Sequence, residues 1–230
     1  MISAHTINNK QSPVNRAIQT IVATVGVIFG VGGMGHGFFE TLQGNTPTNG
    51  YVIDAIGEAN RLWLHGNEPA FTIIPNFLIT GIAAMLVGAV AIIWSVGFMH
   101  KKHASLVFLA LFILLFLVGG GIAQIIFFMI AWVMSTRIHK PLYWWRKVLP
   151  ICIREFLSKL WRPFLVASSL LILYTLQIAI FGFVPGVSNP DSISIVMVST
   201  LGFGLLFLIL AFISGCAHDI EQKGGGVING

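Results

Sequence analysis

Hydropathy along the chain alternates between long apolar runs and short polar breaks, the pattern of helices threaded through lipid rather than folded around an aqueous core. The first run, residues 17–37, carries Gly26, Gly30, Gly33 and Gly37 at helical spacing. Such a stripe of small residues lets another helix approach closely in a membrane. Continued at 100° per residue, it brings Glu40 to the same side with His36 one step around, so both are expected to face protein. A second run, 71–98, holds Pro75 in its first turns and ends at His100, Lys101, Lys102 and His103.

The stretch 105–135 has 31 residues without a charge, interrupted by Gly119, Gly120, Gly121 and Gln124. As one helix it would reach about 46 Å, against a hydrocarbon core of roughly 30 Å. Two short helices, 104–119 and 121–136, turning at the glycines are favoured over that single helix. The last runs are 164–184 and 193–216, joined by the polar loop 185–191.

The breaks predict less regular structure. Asn45, Pro47, Asn49 and Gly50 are turn residues. In 52–64, Asp54, Glu58 and Arg61 recur at helical spacing up to His65, with Ile53, Ile56 and Trp63 opposite, which predicts an external amphipathic helix at the membrane surface. Residues 137–162 combine seven Lys or Arg with Trp144, Trp145 and Trp161, predicting a second interfacial helix on the cytoplasmic side, against anionic lipid head groups. The fold class expected is an all-α integral membrane protein, a bundle of six membrane segments (five if 105–135 is one helix). Its single domain covers 16–218, and the tails 1–15 and 219–230 are expected to be flexible.

Composition agrees: 56% of the 230 residues are hydrophobic, 9% are charged and the mean hydropathy is +0.86. Soluble domains run at about 45–50% apolar and about 25% charged. The net charge of +5 sits in the breaks, where it orients the chain and touches lipid, so nucleic acid is not expected as a partner. Of 13 Lys and Arg, six spans with a cytoplasmic N-terminus put twelve inside and leave only Arg61 outside; five spans give nine against four. A multi-pass cell-membrane protein with both termini cytoplasmic follows. Lys10 and Arg16 before an apolar run imitate a signal peptide, but no A-x-A-like site follows, so the run is expected to remain as a span. Cys152 and Cys216 form no C-x-x-C and are expected to be buried thiols.

In six spans the unusual polar residues gather on the external side. Residues 33–76 alone hold four of the eight carboxylates and two of the seven histidines. His36 and Glu40 lie four apart, and His65 and Glu68 three apart. Together these four candidate catalytic groups could form an acid–base set, or a divalent metal site should the two pairs meet. Bonds from the carboxylates to loop amides are the plainer alternative. Gln43, Asn45, Asn67, Asn76 and Gln124 are the amides placed to bind a ligand. Two haems, on His36 with His65 and on His103 with His139, are conceivable, but these histidines sit in loop-like ends; no cofactor is expected. The reading is a protein that binds or converts a lipid-like or other apolar small molecule. Its rivals are a transporter or channel component, a structural or assembly subunit, and a di-haem cytochrome. No ionisable residue lies deep in a span, which counts against ion-coupled transport. Membrane lipids are the expected partners, with a homodimer through the Gly26, Gly30, Gly33 and Gly37 face as a further option.

Overall fold

A computed structural model describes residues 14–225. It is mostly helical, and four helices are long and apolar enough to cross a membrane: α1 (Arg16–Leu42), α2 (Phe77–Gly97), α7 (Trp161–Phe181) and α8 (Pro190–Gly225). Lipid as solvent explains the surface of α2, where Leu86 is 63% and Val96 70% exposed; an apolar strip of this kind would be unstable in water. α2 begins at Asn76, whose Oδ1 accepts from the Ile79 N–H at 3.1 Å, supplying the helix with an N-cap. α7 stops at Gly182, in the left-handed conformation that closes helices.

The glycine stripe is used inside the chain. Gly30 and Gly37 meet the backbone of Gly88 and Gly81 on α2, Gly26 meets Ser95, and Gly33 meets Leu115. α1 and α2 form the tightest helix pair, and all four glycines are taken up within the chain.

Residues 105–135 are two helices, α3 (Ala104–Leu117) and α4 (Gln124–Ser135), rather than one. The glycines between them form a strand, β3 (Val118–Gly121), and not a simple turn. It joins β1 (Val52–Asp54) and β2 (Pro69–Thr72) in an antiparallel sheet of order β1-β2-β3. This sheet corrects the expected external helix at 52–64. Only a 3₁₀ turn, Glu58–Asn60, is helical there. Gly57 has φ +73°, and Gln43 Nε2 donates to the carbonyls of Asp54 and Ala55, which a helix would have needed. The second span also starts later than expected. Thr72 closes a turn onto the Ile74 N–H, and its hydroxyl meets Thr80, which donates to the Val118 carbonyl.

The opposite pole is built on charge. The expected cytoplasmic helix over 137–162 is two short ones, α5 (Tyr143–Val148) and α6 (Ile151–Leu157), split at Pro150, which has no N–H to continue a helix. Cys152 lies exposed on α6, against the expectation of a buried thiol, whereas Cys216 is buried. The tail expected to be flexible from 219 is helical to Gly225, and Asp219 and Glu221 bond to α1 and to Arg154. Asn15, placed in the flexible N-terminal tail, is buried; its amide donates to the carbonyls of Arg137 and Lys140 and accepts from Lys223. The rest of that tail, 1–13, and 226–230 lie outside the described residues.

Candidate functional site

Three elements bring the site together at the sheet pole. α1 delivers His36 and Glu40 one turn apart, both buried. The loop entering β2 delivers Asn67 and Glu68. β3 and the start of α4 deliver Gly119, Gly121 and Gln124. His36 Nε2 stands 3.5 Å from Glu68 Oε2, longer than a well-formed hydrogen bond. The ring packs on Gly121, where a Cβ would fall 2.6 Å from His36 Nε2 and 3.1 Å from Gln124 Nε2. The carboxyl of Glu40 occupies the space a Cβ on Gly119 would take, and Gly119 has φ +109°. These glycines are what let two α1 side chains lie against the β3 backbone.

Polar satisfaction is incomplete. Both oxygens of Glu40 and Nδ1 of His36 are buried without a hydrogen-bond partner among the described residues. A buried polar atom left in this state is costly and calls for a reason such as a bound molecule, water or ion. Glu68 is shifted as well: burial pushes its carboxyl up to about 7, and the charge of Asp54 adds in the same direction. It can therefore hold or release a proton near neutral pH, as an acid–base group must.

Two cavities meet at this pair. One, of about 210 Å³, lies between α1 and α7 and reaches from Val31 and Leu173 to Ala55, Ile56 and Glu68. The other, of about 190 Å³, lies among α1, α4, α7 and α8 and includes Asn67 and Gln124. Gly32, His36, Glu68 and Leu176 line both. The walls are otherwise mainly aliphatic and aromatic, with a few polar groups at one end, as ligand sites commonly are.

The other expected site residues have different places. His65 pairs with Asp191 at 3.1 Å, on the exposed side of the loop. The four-ligand set of His36, Glu40, His65 and Glu68 is therefore not assembled, and among the described residues no group of three or more His, Cys, Asp or Glu is positioned to hold a metal. Gln43 pins the loop, as described above. Asn76 caps α2 and donates to Asn45 Oδ1 at 2.8 Å, so these three amides shape the pole without lining either cavity.

The sequence pattern puts Trp63 on the apolar face of the expected helix and gives Gly32 no role. Trp63 Nε1 donates to the Ala179 carbonyl at 2.9 Å, and its ring covers Gly182, fastening the loop over the end of α7. Gly32 and Gly35 lie off the packed stripe, and a Cβ on either would meet no heavy atom within 4 Å. Two glycines on α1 outside the stripe's spacing were the available signal. No family model, curated protein or solved structure matches the chain.

Proposed function

We propose that this protein binds an apolar small molecule at the sheet pole, with His36 and Glu68 as the groups that act on it. The observation that carries this reading is the His36–Glu68 pair standing in the shared wall of two largely apolar cavities. Glu40 supplies a second buried carboxyl one helical turn away, and Glu68 changes protonation near neutral pH. A histidine beside such a carboxyl can pass a proton to or from a bound head group.

The same reading takes all six long or apolar helices as membrane segments, with the sheet pole external and both termini cytoplasmic. Supporting it, the start of α1 and the end of α8 are bonded together beside Arg137 and Lys140. α3 and α4, about 21 and 18 Å long, each run from the basic pole to or from β3. Their shortness would be met by bilayer thinning and by Lys101 and Lys102 reaching out to head groups.

The test is mass spectrometry of molecules that co-purify with the protein in lipid nanodiscs. Wild type is expected to carry an apolar compound that His36→Ala and Glu68→Gln lose. Equal content in all three sinks the reading. Cysteine introduced at Thr48 is expected to react with an impermeant reagent on intact cells, and one at Arg146 is not; the reverse pattern overturns the orientation.

A further inference from the structure

We propose that the ligand is an amphiphile whose head donates hydrogen bonds and carries no negative charge, and that it reaches His36 sideways from the lipid between α1 and α7. This rests on the ligand-binding reading above and adds the head-group chemistry and the route. The route comes from the walls of the larger cavity. At one end are Val31 and Leu173, 51% and 46% exposed on the lipid-facing surface. At the other are Ala55 and Ile56, buried residues of the β1–β2 connection, and Glu68. A molecule dissolved in the membrane meets the apolar end first, and its polar end comes to rest at Glu68.

The space along this route is kept open by glycine. Gly26, Gly30, Gly33 and Gly37 are each filled by a neighbouring side chain or backbone, so packing accounts for them. Gly32 and Gly35 line the cavity and touch nothing within 4 Å of a built Cβ. Helix packing gives no reason for a glycine there, and glycine weakens a helix. A chain lying along that face supplies the reason.

The head-group assignment comes from charge. The polar end offers the carboxyl of Glu68 together with His36, Gln124 and Asn67, while Glu40, one turn along α1, is buried and lines neither cavity. No lysine or arginine lines either cavity. Arg61, on the same loop, is paired with Asp54 at 2.6 Å. A phosphate or carboxylate head would be placed beside Glu68 with no fixed cation to offset it, in surroundings that weaken screening. A hydroxyl or amine instead gives its hydrogens to acceptors that do line the cavities, the carboxyl of Glu68 and the side-chain carbonyls of Asn67 and Gln124.

Three photoreactive probes sharing one sixteen-carbon chain, ending in an alcohol, an amine or a phosphate, separate the claims. Each is added to the full-length protein in phosphatidylcholine nanodiscs, and crosslinked peptides are mapped. Alcohol and amine are expected to label the α1 and α7 segments around Gly32 and Leu176 at least tenfold above the phosphate. Equal labelling by the phosphate overturns the head-group assignment while leaving an apolar site in place. Labelling by all three no greater than on the lipid face of α2 at Leu86 and Val90 removes the binding reading itself. Val31→Trp, on the exposed mouth where folding is undemanding, is expected to cut labelling by the alcohol several-fold. Undiminished labelling in that variant overturns the sideways route.

Discussion

Asp219, near the end of the last helix, accepts hydrogen bonds from the N–H of Ala17 at 3.0 Å and of Ile18 at 3.1 Å, two of the free amides in the first turn of α1. The two lie 202 residues apart in sequence. A helix start needs acceptors for its unpaired N–H groups, and the residue before α1, Asn15, gives no side-chain cap; its Oδ1 accepts from Lys223 Nζ instead. The carboxylate of α8 takes over that role and complements the positive end of the helix dipole. Asp219→Ala should therefore lower stability by about 2 kcal/mol, since it orphans two buried donors. Thermal unfolding in detergent measures it, and an unchanged midpoint would mean that water replaces the carboxylate without cost.

The glycines of α1 divide into two kinds that a single substitution tells apart. A Cβ on Gly30 would fall 2.6 Å from Ile92 Cγ1 and 3.0 Å from the Gly88 carbonyl, so Gly30→Ala must push α1 and α2 apart. Overpacking of this sort costs about 1–3 kcal/mol. Gly32→Ala meets open space and should leave stability unchanged or raise it by up to about 1 kcal/mol from helix propensity. Equal losses at both positions in a denaturation series would contradict the packing described.

Which features could be read from the chain follows from how local their causes are. The membrane helices come from long apolar runs, and the inward-facing His36 and Glu40 from the glycine periodicity of their own helix. Asp54, Glu58, Arg61 and His65 carry the same periodicity without forming a helix. Asp54 turns back to Arg61, His65 crosses to Asp191, and Gly57 takes a positive φ. Strands of three or four residues leave too little alternation to detect, and β2 pairs with β3 across about fifty residues. The pairing of His65 with Glu68 failed for the same reason. Loop closure brings Glu68 to His36, a partner no local spacing could name.

Glu68 gives the stability a pH dependence of definite sign. Its folded carboxyl titrates at about 7, above the ordinary carboxylate value of 4.5, with His36 3.5 Å away and the charge of Asp54 acting on it. Between those two values the folded protein holds a proton that the unfolded chain has released. Stability contributed by this group is thus present at low pH, falls as pH rises through that window, and is level above it. The full shift corresponds to about 3 kcal/mol at most. The difference in unfolding midpoint between wild type and Glu68→Gln, followed from pH 5 to 8, should move in favour of the variant as pH rises. A difference that is flat, or that moves in favour of wild type, rules this out.

The contact between Gly121 and His36 can be isolated because only one of the two neighbouring glycines is strained. Gly121 lies outside the left-handed region, so an added methyl meets the imidazole and the Gln124 amide but no backbone penalty. Gly121→Ala should cost about 1–3 kcal/mol alone. In a His36→Ala background most of that cost should vanish, a coupling of about 0.5–3 kcal/mol of the kind residues in direct contact show. Gly119 supplies the control. Its Cβ would strike Glu40, but its φ of +109° also penalises any side chain. Gly119→Ala should therefore stay costly even beside Glu40→Ala. Additive losses at Gly121 and His36, measured by chemical denaturation, would mean that the ring does not rest on β3, and the polar end of both cavities would have to be redrawn.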